Sequence, residues 1–268
     1  MYVNTTGIVL RETAYRDSSK ILTVLTGSQG KLTVSARGAL RKNSKLAAVT
    51  QLLVFSEMTL FENRDRWTLT EGRTVEQFRG LQADIEKLAL GSYFAELIEA
   101  LADEDSFSPQ LLSLCLNALF ALSEGLKEAR YVKPAFELRL LAVSGFAPLV
   151  SHCAICGSTE LERAVLDYSA GTLWCISCNP QLGALVQGGV GDGAVLRGPA
   201  YNGAALGAGA IQAARYIISC EQKKLFSFSL SDAALDELSF ATEGYLLEQL
   251  DRRFRTLEFY KDLIGIRN

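Results

Sequence analysis

Histidine occurs once in the 268 residues, as His152. A Ser-His or Cys-His hydrolase would have to use that residue, which stands directly beside Cys153. No other grouping of nucleophile, base and orienting residue can be assembled, so the sequence points away from an enzyme. Long apolar runs are also missing. None approaches the ~20 residues that a membrane span requires. The opening Met1-Tyr-Val-Asn-Thr-Thr reads as the start of a strand, not as a secretory leader. A phosphate-cradling loop is absent too. Gly188-Gly-Val-Gly-Asp-Gly193 is glycine-rich, but no Lys-Ser/Thr follows it and no strand-to-helix unit encloses it, so it reads as a plain loop.

A net charge of −3 says nothing by itself about polyanions, but the charge is unevenly placed. Residues 1–80 carry twelve Lys/Arg against seven acids, a local +5, which leaves −8 on the remaining 188. A basic front on an acidic body lets one end hold a polyanion while the whole stays soluble. Five β-rich runs fill that front: Tyr2 to Arg11, Lys20 to Thr26, Lys31 to Arg37, Leu52 to Glu62 and Arg66 to Val75, with a tight connection at Gly27-Ser-Gln-Gly30. In the third, Leu32, Val34 and Ala36 alternate with Lys31, Thr33, Ser35 and Arg37, so one face is buried and the other shows hydroxyls and cations. Five short strands in about 75 residues suit a small closed barrel of the OB type.

The third run leads into Arg37-Gly-Ala-Leu-Arg-Lys-Asn-Ser-Lys45. Four cations in nine residues, with Gly38, Asn43 and Ser44 for backbone freedom, predict a flexible basic loop that follows phosphates without demanding a base sequence. Arg11, Lys20 and Lys31 are candidates around it. The aromatics Phe55, Phe61 and Trp67 on neighbouring strands read as barrel core, with base stacking as the alternative.

Cys153, Cys156, Cys175 and Cys178 form two C-x2-C pairs separated by 18 residues. Each pair can bend a knuckle around one tetrahedral ion, and four thiolates complete the coordination sphere of Zn²⁺ with no position left for a catalytic water. Gly157 and Asn179 follow the two pairs, the residue types that most readily take a left-handed conformation. Between the pairs, Arg163 to Tyr168 and Thr172 to Cys175 read as a hairpin turning at Ser169-Ala-Gly171. With its ligand shell filled by sulfur, the site leaves His152 a bystander. Paired knuckles argue for metal in a reducing, cytoplasmic compartment rather than for disulfides, and Cys115 and Cys220 read as buried free thiols.

From Leu81 the apolar period becomes helical. Runs are expected from Leu81 to Ala102, from Leu111 to Leu126 behind the cap pair Ser108-Pro109, and from Tyr131 to Gly145. After the cysteine module, helices are expected from Ile211 to Cys220 and from Ser231 to about Leu263. The reading is an α+β chain: an OB barrel over residues 1–80, a helical domain over 81–268, and a zinc hairpin inserted over 148–185.

Taken together, these segments resemble one family, the bacterial RecO recombination mediators. Gly7-Ile-Val-Leu10, Asp17-Ser-Ser-Lys-Ile-Leu-Thr and Gly30-Lys-Leu-Thr-Val-Ser-Ala-Arg-Gly38 are similar to its opening strands and basic loop. Phe136-Glu-Leu-Arg-Leu-Leu-Ala-Val-Ser-Gly145 resembles its helix before the zinc site, and Arg252-Arg-Phe-Arg-Thr-Leu-Glu-Phe259 its terminal helix. Leu40 and Asn43 depart from the family's loop, where further cations or a proline are usual. The resemblance implies binding of single- and double-stranded DNA, annealing of complementary strands, and, with RecR in the RecF pathway, help to RecA in displacing the single-strand-binding protein. It also implies a nucleoid-associated protein whose helical body docks the acidic, apolar tail of that protein. Arg130, Lys133 and Arg139, spaced beside Phe136 and Leu140, are the candidates for this dock. The rival reading is a zinc-stabilised interaction scaffold whose basic front holds RNA or another polyanion.

Overall fold

A computed structural model describes residues 1–104, 107–178, 195–198 and 201–265. They form two compact units, one built from Met1–Leu126 with the segment from Phe254 onward, the other from Lys127–Arg253.

The first unit opens with a closed five-stranded OB barrel: β1 (Tyr2–Tyr15), β2 (Ser19–Thr26), β3 (Gly30–Ala36), β4 (Phe55–Asn63) and β5 (Arg66–Glu76), in the order β1-β2-β3-β5-β4. Neighbours run antiparallel except β3 and β5, which pair in parallel with Val34 opposite Trp67. The alternation in β3 holds, with Leu32, Val34 and Ala36 turned into a core that includes Val9, Leu22, Val24 and Leu60. Closure bends the strands, and the ladders shift register at Val9/Arg11 in β1 and at Thr59/Leu60 in β4. Gly7 lies where β1 crosses β2 closely. A Cβ there would stand 2.7 Å from Val24 Cγ1.

Three helices follow: α1 (Arg79–Gln82), α2 (Ile85–Leu101) and α3 (Pro109–Ser123). The run expected from Leu81 is interrupted because the Asp84 side chain accepts from the amides of Glu86 and Lys87 and starts α2 there. Ser108 caps α3 as expected, accepting from Leu111 N at 3.3 Å, with Pro109 in the first turn. Tyr93, Phe94, Leu97 and Ile98 of α2 are fully buried.

The second unit begins with α4 (Ala129–Val143). It continues through a five-stranded sheet of β6 (Leu149–Cys153), β7 (Arg163–Asp167), β8 (Thr172–Cys175), β9 (Val195–Gly198) and β10 (Tyr201–Gly207), and ends with α5 (Ala208–Ser219) and α6 (Asp232–Leu250). The expected hairpin is present as β7–β8, with Ala164 opposite Cys175. It is the middle of a larger sheet, ordered β6-β8-β7-β10-β9. The sheet packs on α6: Gln249 Nε2 donates to Tyr168 O at 2.6 Å, and Gly207 N donates to Glu237 Oε2 at 2.7 Å.

The long helix expected from Ser231 to Leu263 is two. Ser231 caps α6, but Asp251 takes a left-handed conformation (φ 43°) and stops it. The chain then restarts as α7 (Arg255–Leu263), which belongs to the first unit. There Phe254 meets Tyr93 edge-on at 6.0 Å, and Thr256 binds the Glu96 carboxylate through its amide and hydroxyl. The boundary expected at residue 80 therefore falls inside the first unit. No helix among the described residues is long and apolar enough to cross a membrane.

Candidate nucleic-acid interface and metal centre

The segment from Arg37 to Val54 joins β3 to β4 and carries the basic loop. It is a succession of turns, closed by Arg41 N→Gly38 O (3.1 Å), Ser44 N→Arg41 O (3.1 Å) and Ala47 N→Ser44 O (3.2 Å). Gly38 and Asn43 take positive φ, 71° and 65°, as their residue types allow. Ala39, Val49, Thr50 and Leu53 are buried and pin the segment to the barrel, and Leu40 N donates to Ser18 O at 3.0 Å. The loop is thus a shaped ledge, not the open tether that its glycine, asparagine and serine suggested.

Arg37, Arg41, Lys42 and Lys45 are all exposed on this ledge and make no ion pair with any described residue. The three outlying candidates differ. Lys20 is drawn in, contacting the Glu12 carboxylate and donating to Thr50 O at 3.3 Å. Arg11 pairs with Glu99 at 2.7 Å, and Lys31 Nζ donates to Glu99 O at 2.9 Å. These cations are spent on the unit's own carboxylate and carbonyl groups, which sequence spacing cannot show. Phe55, Phe61 and Trp67 are half-buried. Trp67 packs on the barrel core, and Phe61 lies 4.9 Å from Tyr2, centroid to centroid.

The metal-ligand candidates come together in the second unit. Cys153 ends β6 and Cys175 ends β8, while Cys156 and Cys178 follow in the adjoining turns. All four Sγ atoms lie within 4.8 Å of one another, and Cys156 Sγ and Cys175 Sγ are 3.8 Å apart. With metal–sulfur bonds of about 2.3 Å, the edge of a tetrahedral site is ~3.8 Å, far longer than a disulfide. Gly157, at φ 73°, closes the first knuckle with Gly157 N→Cys153 O at 2.9 Å, and Cys178 N→Cys175 O at 3.1 Å closes the second. Asn179 and the stretch 188–193 lie outside the described residues.

The electrostatics fit a cation. Burial works against the Cys153 thiolate, yet the amides of Cys175, Cys156 and Ile155 outweigh it and hold the thiol down to about 6. Cys178 is pushed up to about 12 by the thiols of Cys175 and Cys156. Four such groups cannot all ionise side by side without a positive ion among them. The cluster is therefore able to chelate a metal. His152 stays outside it, its Nδ1 2.9 Å from Ser151 Oγ.

Of the other two cysteines, Cys115 is fully buried, and desolvation pushes its thiol up to about 12. Cys220 departs from the apolar setting expected for it. It is half-buried and receives Arg139 Nη2 on its carbonyl at 2.5 Å and on its sulfur at 3.0 Å.

The helical dock expected at Arg130, Lys133 and Arg139 is not assembled in α4. Phe136 and Leu140 are fully buried, and Lys133 lies beneath the surface, 2.8 Å from Glu137 and 2.8 Å from Glu243. Arg139 is turned to Cys220. Arg130 remains exposed, held by Asp232 at 2.7 Å. The helical period of α4 identified this row of residues, but it could not say which side α6 covers.

Comparison with known proteins covers both units. Residues 1–78 match the family model for the N-terminal part of recombination protein O, and residues 82–258 match the one for its C-terminal part. The chain is 31% identical to the DNA repair protein RecO of Acetivibrio thermocellus over 266 residues, 99% of each. It is 29% identical to that of Symbiobacterium thermophilum over 267 residues, 98% of each. The match to the Listeria monocytogenes protein reaches 39% over 153 residues, 57% of this chain and 60% of that one.

Proposed function

The chain belongs to the recombination protein O family, and from that membership we propose that it is a recombination mediator in DNA repair. It binds single- and double-stranded DNA, anneals complementary strands, and with RecR helps RecA onto DNA coated with single-strand-binding protein. Members of this family are mediators rather than enzymes, and so is this chain. The observation that carries the DNA-binding reading is the ledge itself: four exposed cations on a barrel flank, Arg37, Arg41, Lys42 and Lys45, with no carboxylate partner among the described residues.

The mechanism follows from charge. Lys and Arg neutralise phosphates and release counterions, so two strands that repel can approach within pairing distance. Base pairing then supplies the driving force. In this reading residues 1–80 hold DNA, residues 81–268 meet protein partners, and residues 148–185 hold one Zn²⁺. Cys153, Cys156, Cys175 and Cys178 would hold the ion, which would there supply structural support to the ends of β6 and β8, a duty suited to a closed set of four sulfurs. For the acidic tail of single-strand-binding protein, Arg130 is the accessible candidate of the three, and it would exchange Asp232 for a tail carboxylate.

Fluorescence anisotropy with a labelled oligonucleotide across a salt series tests the ledge. Each phosphate contact contributes roughly 0.7 to the slope of log K against log salt for single strands. Arg41→Ala with Lys42→Ala should flatten that slope by roughly 1.4. An unchanged slope and affinity would remove the ledge from the interface.

A further inference from the structure

Resting on the DNA-binding reading above, we propose that Tyr15, the last residue of β1, is a base-stacking residue that gives the cationic ledge its preference for single strands. The geometry begins at the end of the hairpin, where Tyr15 is paired with Ser19 across β1 and β2. Ser19 in turn touches the ledge: its Oγ receives Gly38 N at 3.3 Å, and the neighbouring Ser18 O receives Leu40 N at 3.0 Å. On β2–β3 the last registered pair is Lys20 with Ala36, so Arg37 emerges one step further on, level with Ser19. Tyr15 and Ser19 thus share a row with Arg37, the residue that follows β3, and the backbones of Tyr15 and Arg37 are about two strand spacings, ~10 Å, apart.

The tyrosine is also presented as a stacking residue should be. It is 45% exposed, whereas Phe55, Phe61 and Trp67 are half-buried against the barrel. Arg16, fixed in a left-handed conformation at φ 56°, sets its guanidinium 5.1 Å from the ring centroid. A cation on one face of the ring orders it and leaves the other face for a base. A duplex keeps its bases stacked on one another and offers such a ring nothing, while a single strand offers a face at every nucleotide. The ledge reads phosphates in either form; the ring selects the unpaired one.

The test is anisotropy of a labelled oligothymidine and of a labelled duplex with the zinc-loaded 268-residue chain, its folding checked by thermal melting. Tyr15→Ala should weaken single-strand binding about 5- to 150-fold. Duplex binding should stay within about twofold and the salt slope should not change, because no phosphate contact is removed. Tyr15→Phe should retain wild-type behaviour. Equal loss on both DNAs, or wild-type single-strand affinity in Tyr15→Ala, would overturn the assignment. Arg41→Ala with Lys42→Ala, losing both DNAs, separates the two claims. If that variant fails while Tyr15→Ala is unaffected, the ledge stands and the stacking role falls. Absence of DNA binding in the wild-type protein would remove both.

Discussion

Lys133 is sealed into the second unit between two carboxylates, and replacing it tests that burial. Its ammonium lies 2.8 Å from Glu137, which is 0% exposed, and 2.8 Å from Glu243. Thr242 Oγ1 adds a hydrogen bond to Glu137 at 3.2 Å. Burial is the largest influence on Lys133 and opposes its charge, but the two carboxylates together outweigh it and leave its pKa raised. The sign follows. Its stabilising contribution is fully present below the ordinary lysine value of about 10.4, and is lost only as pH rises through the raised folded value. Lys133→Met removes the ammonium from beside the buried Glu137, and breaking a buried pair from one side costs about 3–5 kcal/mol. For a unit of this size that corresponds to roughly 10–20 °C in Tm. Differential scanning calorimetry at pH 7 and 8 should show the same drop at both. Adding Glu137→Gln should restore much of it, because the buried negative charge that Lys133 balances is gone as well. A Tm within about 2 °C of wild type, together with loss of tail-peptide binding, would refute the burial and return Lys133 to the surface.

Two further perturbations probe the second unit. Cys175→Ser should release bound zinc, read by a chromophoric chelator, and lower the Tm; unchanged metal content would place the ligands elsewhere. Gly203→Ala would put a Cβ 2.2 Å from Leu166 O in the β7–β10 ladder. Overpacking of that kind costs about 1–3 kcal/mol, and a Tm equal to wild type would contradict the register.

The barrel was legible because alternation is a local signal, and Leu32, Val34 and Ala36 declare their face without help from the rest of the chain. The cysteine centre was legible because its spacing is chemical. What stayed hidden depends on distant partners. β10 reads Tyr-Asn-Gly-Ala-Ala-Leu-Gly, poor in β-branched residues, and becomes a strand because small residues fit between β7 and α6. The break at Asp251 carries no glycine or proline to announce it. Nor can spacing distinguish an exposed arginine such as Arg41 from one such as Arg139, which is occupied by Cys220. Tyr15 sits at a strand end next to a turn, where sequence alone offers no reason to prefer it over Trp67.

The measurement that bears most directly on the mediator role is annealing of complementary labelled strands, naked and coated with single-strand-binding protein, followed by energy transfer across a salt series. Acceleration is expected on both substrates, fading steeply as salt rises and reduced in the Arg41→Ala, Lys42→Ala variant. No acceleration by a folded, zinc-loaded protein would contradict that role and leave the barrel holding some other polyanion.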